Sequence, residues 1–206
     1  MMRFLSSAVA LVLLAGAPLL AQLPRGWQVR VDGSTNAADP DRPGAVQLMA
    51  MGGGFHVIAP QAGVFWNPAN TATGAYTLRG RFTQLKRSSH TNFHGLVLGG
   101  SGIEGAQQRY IYFLVGQDGS FMVKQRNGND VTDIAPEARN AAVRQLDAQG
   151  RAANDLEVRV TADTVDFVVN GTSVHSMPKG NLMTDGLYGF RVNHDLEVMV
   201  ENLARQ

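Results

Sequence analysis

Apolar and polar residues alternate with a period of two along much of the chain after residue 75, as in half-buried β-strands. From Tyr76 to Phe82, one face carries Tyr, Leu, Gly and Phe, while the other carries Thr and Arg. Leu156 to Val160 alternates in the same way. Tyr110 to Val115 is apolar throughout, which is typical of a central strand covered on both faces. These segments predict β-strands.

Short turn sequences separate the strands. Asn170-Gly171 lies between Val165 to Val169 and Thr172 to Met177, and it predicts a hairpin because a type I′ turn needs positive φ at both central residues. The turn explains the glycosylation sequon Asn170-Gly171-Thr172 better than a glycan does. Asp118-Gly119 and Gly52-Gly53-Gly54 predict further turns. Further strands are expected at Gln28 to Val31, Val46 to Met51, Phe55 to Ala59, Leu96 to Gly99, Phe121 to Arg126, Leu187 to Asn193 and Leu196 to Leu203.

Helices contribute little to the predicted fold. Only Pro136 to Leu146 offers an apolar helical face, and it would be short. Val31 to Gly44 is polar and rich in Pro, Gly, Asp and Asn, so we expect a surface loop. Many strands without alternating helices predict an all-β, two-sheet antiparallel jelly-roll sandwich.

The N-terminal residues have the pattern of a secretory signal. Met1 to Arg3 is a short positive region, Phe4 to Leu14 is almost entirely apolar, and Ala21 is a small residue suited to cleavage. The apolar stretch is shorter than the roughly 20 residues that span a bilayer. We therefore predict a signal peptide at residues 1–21, one domain at 22–206, and no membrane span after cleavage.

The composition of the chain limits the cellular compartments and the kinds of partner that are expected for it. The chain has no Cys, which excludes a lipoprotein anchor, disulfides and a thiol nucleophile. Without Arg3, its 17 basic residues match 17 acidic ones and form no basic cluster, which argues against a nucleic-acid partner. An exported domain without disulfides indicates the bacterial periplasm or extracellular space.

Two motifs suggest chemistry but are incomplete. Gly100 to Gly105 matches a dinucleotide-binding pattern, yet a predicted strand follows it where a helix is required, so we interpret it as a loop. The pairs Asp155 with Glu157 and Asp195 with Glu197 would place two carboxylates roughly 6 to 7 Å apart if each pair lay on one strand. That distance is near the separation in glycosidases.

Laminarinase-type hydrolases resemble this arrangement but carry a third acidic residue further along the strand. Arg159 and Met199 occupy the corresponding positions here. We interpret the carboxylates as solvated surface groups, with strand-borne catalysis as the alternative, and the catalytic residues stay unknown.

The histidines and acidic residues define no metal motif. None of His56, His90, His94, His175 and His194 has the spacing of a zinc site, so no metal ligand and no cofactor is predicted. We expect turn or sheet-edge histidines, with His94 or His194 facing a sugar as the alternative. Structural calcium is common in sandwiches of this kind, but no Asp-rich loop supports it.

Four segments carry a family resemblance: Val64 to Ala69, His94 to Gly100, Tyr110 to Val115 with Asp118-Gly119, and Gly186 to His194. In this order they resemble the exported bacterial domains of the 3-keto-disaccharide hydrolase-like group, over approximately Gln28 to Leu203. The resemblance implies the concanavalin A-like lectin/glucanase sandwich. Some members of the group hydrolyse oxidised disaccharides and others have no known activity. No catalytic residue can be carried over.

Strand parity indicates a candidate carbohydrate-binding surface, because alternate residues of a strand point to the same face of the sheet. Three such pairs are Tyr110 and Tyr112, Lys124 and Arg126, and Arg191 and Asn193. Sugars favour aromatic faces flanked by hydrogen-bonding groups. The predicted ligand-binding residues are Trp66, His94, Tyr110, Tyr112, Lys124, Arg126, Arg191 and Asn193. The alternatives are that the two tyrosines belong to the core and that the two basic residues are merely solvated.

These observations favour an exported sandwich that binds or processes carbohydrate; as an enzyme it would hydrolyse 3-keto-disaccharides or related glycosides. The alternative is a non-catalytic envelope protein whose sandwich contacts another protein, of unknown identity.

Overall fold

A computed structural model describes residues 23–206, so the predicted signal peptide at 1–21 lies outside the described residues. The described chain forms fourteen strands. They are Gln28–Asp32 (β1), Gln47–Met51 (β2), Gly54–Ala59 (β3), Ala62–Ala72 (β4), Tyr76–Gln84 (β5), Phe93–Ser101 (β6), Arg109–Gly116 (β7), Ser120–Asn127 (β8), Asp130–Arg139 (β9), Ala152–Val160 (β10), Thr164–Val169 (β11), Thr172–Pro178 (β12), Gly186–Val192 (β13) and Leu196–Arg205 (β14).

The strands form two sheets of seven strands each. The front sheet has the order β1-β4-β13-β6-β7-β8-β9, and the back sheet has the order β12-β11-β10-β5-β14-β3-β2. Every strand pair is antiparallel. The predicted all-β sandwich is therefore confirmed. Within residues 23–206, no helix is long and apolar enough to cross a membrane.

The main core lies between the two sheets, where alternate residues of each strand meet. Phe190 of the front sheet stacks on Phe65 at 4.9 Å between ring centroids, and it meets Phe82 of the back sheet edge-on at 6.4 Å. Phe113 contacts Phe167 of the back sheet at 5.3 Å. Large rings thus hold the sheets together without disulfides.

The front sheet is apolar on its outer face as well. A second buried cluster there contains Val64, Trp66, Phe93, Val97, Ile103, Tyr110, Tyr112, Leu114 and Met122. Since β7 is therefore buried on both faces, the prediction made from its continuous apolar run is confirmed. Ile103, in the loop between β6 and β7, is fully buried in this cluster, so that loop folds over the sheet.

The hairpin predicted at Asn170-Gly171 is confirmed. Asn170 has φ 49° and Gly171 has φ 83°, so both central residues have the positive φ that a type I′ turn requires. The side-chain Nδ2 of Asn170 donates hydrogen bonds to Ala142 O and Asn154 Oδ1, each at 2.8 Å. The sequon therefore lies in a tight turn whose amide is already engaged.

The short helix considered for Pro136 to Leu146 does not form. Its first residues complete β9, an edge strand where Pro136 need not donate a backbone hydrogen bond. Asn140 then ends the strand, because its Oδ1 accepts a hydrogen bond from Ala142 N at 2.9 Å and forms a turn. The alanines of this segment favour a helix, but their small side chains give its apolar face little area to bury.

Candidate functional site

The outer face of the front sheet brings together all of the predicted ligand-binding residues except His94. Tyr110 lies opposite Arg126, and Tyr112 lies opposite Lys124, in the register of β7 with β8. Trp66 belongs to the same apolar cluster as the two tyrosines. The two tyrosines and the two basic residues thus lie on a common face, as strand parity predicts. We name Asp32, Tyr112, Arg126, Arg191 and Asn193 the front patch.

Arg191 lies at the centre of the front patch and contacts three other strands or loops. Its Nη1 lies 2.6 Å from Asp32 Oδ2 and 3.3 Å from the hydroxyl of Tyr110. Its Nε donates to Asn193 Oδ1 at 2.9 Å. The guanidinium carbon lies 5.6 Å from the centroid of the Tyr112 ring, within range of a cation–π interaction. These contacts fix one orientation of the guanidinium plane.

Asp32 is a functional candidate that the sequence analysis did not identify. It ends β1, and its Oδ1 accepts a hydrogen bond from Arg30 Nε at 2.9 Å. Burial alone would raise the pKa of Asp32, but Arg191 and Arg30 outweigh that effect and lower the pKa below its usual value. The carboxylate is therefore ionised and accepts hydrogen bonds near neutral pH. A single Asp at a strand end gives no sequence pattern that would have revealed it.

Arg30 also ties the β6–β7 loop to the patch. Its Nη1 donates to Gly105 O at 2.7 Å and to Ile103 O at 3.3 Å. The glycine-rich segment that resembled a dinucleotide motif is thus a structural loop, held against the front sheet by an arginine of β1. No helix N-terminus is present at this loop to receive a phosphate.

The three aromatic residues of this face are largely buried beside the polar groups. Trp66 is 2% exposed, Tyr110 is 1% exposed and Tyr112 is 8% exposed. Burial raises the pKa of both tyrosines, which keeps their hydroxyls neutral. Tyr112 is therefore the most exposed of three largely buried rings.

The rim of the face is basic and has free hydrogen-bonding capacity. Lys124 Nζ lies 3.2 Å from Asp133 Oδ1, so this cation is partly neutralised. Arg126 donates only a long hydrogen bond of 3.4 Å from Nη1 to Gly128 O, and its Nε has no partner within residues 23–206. Because a guanidinium carries five donors, Arg126 retains most of them for a ligand.

His94 does not join the patch. It has the parity of Leu96 and Leu98 and points into the core between the sheets, where it is 2% exposed and lies 6.1 Å from the Phe82 ring. Burial lowers the pKa of His94 to about 4, so the imidazole is neutral. The sugar-facing role suggested for His94 does not fit this position.

The acidic pairs form ion pairs at the back sheet and its end. Asp155 pairs with Arg81 at 3.1 Å, and Glu157 pairs with Arg79 at 3.4 Å. The expectation that Asp195 and Glu197 share a strand face is wrong, because Asp195 precedes β14 in a turn and has φ 55°. The remaining carboxylate, Glu197, contacts His56 and Lys86 at 2.9 and 3.2 Å. Each of these carboxylates therefore lies within ion-pairing distance of a cation.

Comparison with known proteins shows a common fold. No protein-family model matches the chain, and no curated protein matches it in sequence. The carbohydrate-binding module CBM66 from Bacillus subtilis superposes with a TM-score of 0.62 at 11% identity, covering 88% of this chain and 95% of the other. A Bacillus subtilis protein of unknown function with a galectin-like fold gives a TM-score of 0.58 at 12% identity, covering 87% and 88% of the two chains.

The carbohydrate recognition domain of Emp46p is a third neighbour. It gives a TM-score of 0.55 at 12% identity and covers 87% of this chain and 89% of the other. The chain therefore has the lectin-like jelly-roll sandwich that these proteins share. At these identities, the likeness establishes the fold.

Proposed function

We propose that this protein binds carbohydrate on the front patch. The observation that carries the proposal is that Arg191 binds Asp32 and Asn193 and lies over the ring of Tyr112, on the sheet face that also carries Arg126. The fold adds support, since two of the neighbours are named as a carbohydrate-binding module and a carbohydrate recognition domain.

The chemistry of the patch suits sugar hydroxyls. A guanidinium offers parallel donors to two neighbouring hydroxyl groups, while a carboxylate and an amide oxygen accept hydrogen bonds from them. The exposed edge of Tyr112 would contact the apolar C–H face of a sugar ring. Because Arg191 is already oriented by Asp32 and Asn193, binding would cost little side-chain entropy at that residue.

The geometry favours binding over hydrolysis. A glycosidase of the usual kind needs two carboxyl groups across the scissile bond, one of them protonated. Among the described residues, the front patch includes one carboxyl group, Asp32, whose pKa is lowered by two arginines, and the neighbouring Asp133 is paired with Lys124 at 3.2 Å. The resemblance to 3-keto-disaccharide hydrolase-like domains supports oxidised disaccharides as a ligand class, with hydrolysis as the enzymatic alternative.

The proposal includes export of the mature domain to the periplasm or the extracellular space. It is supported by the pattern of residues 1–21 and by the absence of Cys from the whole sequence. Mass spectrometry of the protein recovered from the periplasm and medium of a bacterial host tests this point. A mature chain beginning near residue 22 is expected, whereas full-length protein confined to the cytoplasm would refute export.

Native mass spectrometry with neutral oligosaccharides and 3-keto-disaccharides tests the binding proposal, because it records bound and cleaved masses together. We expect intact complexes whose affinity falls about 10-fold or more in Arg126→Ala, since a hydrogen bond to a charged group is worth about 1.5–3 kcal/mol. Arg159→Ala, a surface arginine of the back sheet, is the matched control and should bind as the parent does.

Each other outcome has a distinct meaning. Cleavage products that disappear in Tyr112→Ala would replace the binding proposal with the enzymatic one. If Arg126→Ala and Arg159→Ala lower the sugar affinity equally, the ligand binds somewhere other than the front patch. If no sugar in the panel binds, the proposal fails and protein contact becomes the leading function.

A further inference from the structure

At one end of the sandwich, three loops bring together side chains that are far apart in sequence. Asp39 lies in the β1–β2 loop, His90 in the β5–β6 loop, and His194 in the turn between β13 and β14. We propose that these three side chains form a binding site for one divalent metal ion of the zinc type. This inference is independent of the carbohydrate proposal.

The distances among the three ligand atoms have the dimensions of a tetrahedral metal site. His90 Nε2 lies 3.4 Å from His194 Nε2. Asp39 Oδ2 lies 3.4 Å from His90 Nε2 and 3.2 Å from His194 Nε2. Bonds of about 2.0–2.1 Å at tetrahedral angles hold ligand atoms roughly 3.3–3.4 Å apart. An octahedral site with similar bonds would hold them roughly 3.0 Å apart. Two imidazoles with one carboxylate also suit zinc better than magnesium or calcium.

The other nitrogen of each imidazole lies near an oxygen, which is the arrangement usual around metal-bound histidines. His194 Nδ1 lies 3.7 Å from Asp41 Oδ1, and His90 Nδ1 lies 3.2 Å from Ser89 Oγ. Asp41 Oδ1 is buried and has no hydrogen-bond partner within the described residues. Both rings therefore direct Nε2 toward Asp39 and have a nearby oxygen for the Nδ1 proton.

Asp195 holds the three loops in this arrangement. Its Oδ2 accepts hydrogen bonds from the backbone N of Ser89 at 2.8 Å and from Ser89 Oγ at 2.7 Å, so the His194 turn is tied to the His90 loop. The same carboxylate accepts from Arg42 Nη2 at 3.1 Å, which ties in the loop that carries Asp39. The site is thus preorganised by contacts that do not use its ligand atoms.

Charge and access also suit a cation. Arg42 is paired with Asp195, and the carboxylates of Asp39 and Asp41 lie beside the two imidazoles. The cluster lines a surface cavity of about 390 Å³. With three protein ligands, the fourth position of a tetrahedral ion would face this cavity and accept water or an oxygen of a small ligand.

Cobalt is the first probe, because tetrahedral Co²⁺ has a strong visible absorption and zinc has none. The protein is purified without a polyhistidine tag, stripped with a chelator and titrated with Co²⁺, then with Zn²⁺. We expect a visible band of tetrahedral Co²⁺ that zinc displaces, and native mass spectrometry should give one zinc per chain. Zinc should also raise the Tm, because it binds only the folded chain.

Variants separate this site from adventitious binding. His90→Ala and His194→Ala should each abolish the band and the Tm rise, and Asp41→Asn should weaken binding about 10-fold, as loss of an outer partner does. His175→Ala, in β12 of the back sheet, is the matched control and should bind as the parent does. His90→Gln provides a second variant at the same position, and circular dichroism of each metal-free variant checks folding.

The proposal is overturned if the parent protein gives no tetrahedral cobalt band, or if His175→Ala weakens binding as much as His90→Ala does. In the first case, the three side chains form only a hydrogen-bonded cluster. A failure here leaves the carbohydrate proposal intact, because the sugar experiment uses front-patch variants and a separate readout.

Discussion

Arg191 Nη1 and Asp32 Oδ2 are 2.6 Å apart and join β13 to the end of β1, strands that lie on either side of β4 in the front sheet. Both side chains are largely buried. We expect Arg191→Ala to lower the free energy of unfolding by about 3 kcal/mol, because it leaves a partly buried carboxylate with one partner fewer. Urea denaturation of Arg191→Ala, Asp32→Ala and the double variant measures the coupling between them.

The matched control is the ion pair of Arg81 and Asp155 on the outer face of the back sheet. Arg81 Nη1 lies 3.1 Å from Asp155 Oδ2, and both side chains are well exposed. Because solvent screens such pairs, its double-mutant cycle should give less than about 1 kcal/mol. Equal coupling energies for the two pairs would contradict the argument that burial makes the Arg191–Asp32 contact structurally important.

His94 should make stability depend on pH between about 6.5 and 4. Burial lowers its folded-state pKa to about 4, whereas the unfolded chain takes up the proton near the usual value of 6.5. The unfolded state therefore binds more protons in this window, and stability falls as pH falls through it, by an amount on the order of 3 kcal/mol. Denaturation midpoints of the parent and His94→Leu across this range measure the contribution.

The expected result is a shallower pH slope in His94→Leu, with greater stability than the parent near pH 5. His175→Leu, on β12, should keep the parent slope. A parent slope unchanged by His94→Leu would show that His94 is not the group responsible.

Gly171 is expected to resist substitution through backbone conformation alone. It has φ 83°, and a Cβ added there would meet no atom within 4 Å, so crowding plays no part. Gly171→Ala should cost about 1–2 kcal/mol, the penalty for an L-residue with left-handed φ, and Gly171→Asn should cost less. Thermal denaturation ranks the variants, and Asn no better than Ala would argue against this cause.

Gly189 is expected to resist substitution for the opposite reason, crowding. A Cβ added there would lie 2.0 Å from Phe65 O, in the backbone of the neighbouring strand β4. Gly189→Ala should therefore separate β13 from β4 and lower the Tm by several degrees. It should also weaken the binding of any ligand that Arg191 contacts. Gly105→Ala, where the nearest atom is 3.8 Å away, is the control and should retain the parent Tm.

Local patterns predicted most of the fold because hairpin turns and strand alternation are local properties. Asn170-Gly171 specified its turn, and the alternation from Tyr76 specified β5. Two strands were missed for physical reasons. In β4, the first residues are buried on both faces and the later ones are largely exposed, so no alternation marks the strand. In β9, most residues are exposed and Pro136 interrupts the pattern.

The candidate site was predictable only where strand parity decides orientation. Tyr110 and Tyr112 share a face for this reason. Strand parity does not show which strand is the neighbour in the sheet. The contact between Arg191 and Asp32 therefore could not be predicted from the sequence. His94 was misplaced because residues on both faces of β6 are apolar or small, which leaves no signal for the inward side. The cluster of Asp39, His90 and His194 could not be foreseen, because its members come from three loops and have no local spacing.

The turn at Asn170 has a consequence for producing the protein in a eukaryotic secretory host. An oligosaccharide would be attached to Nδ2, the atom that donates at 2.8 Å to both Ala142 O and Asn154 Oδ1. Attachment would remove one of these hydrogens and place a bulky group inside the turn. The folded chain should therefore be a poor acceptor. Any glycosylated fraction would record chains that met the glycosylation enzyme before this hairpin closed, and its size would compare the rates of modification and folding.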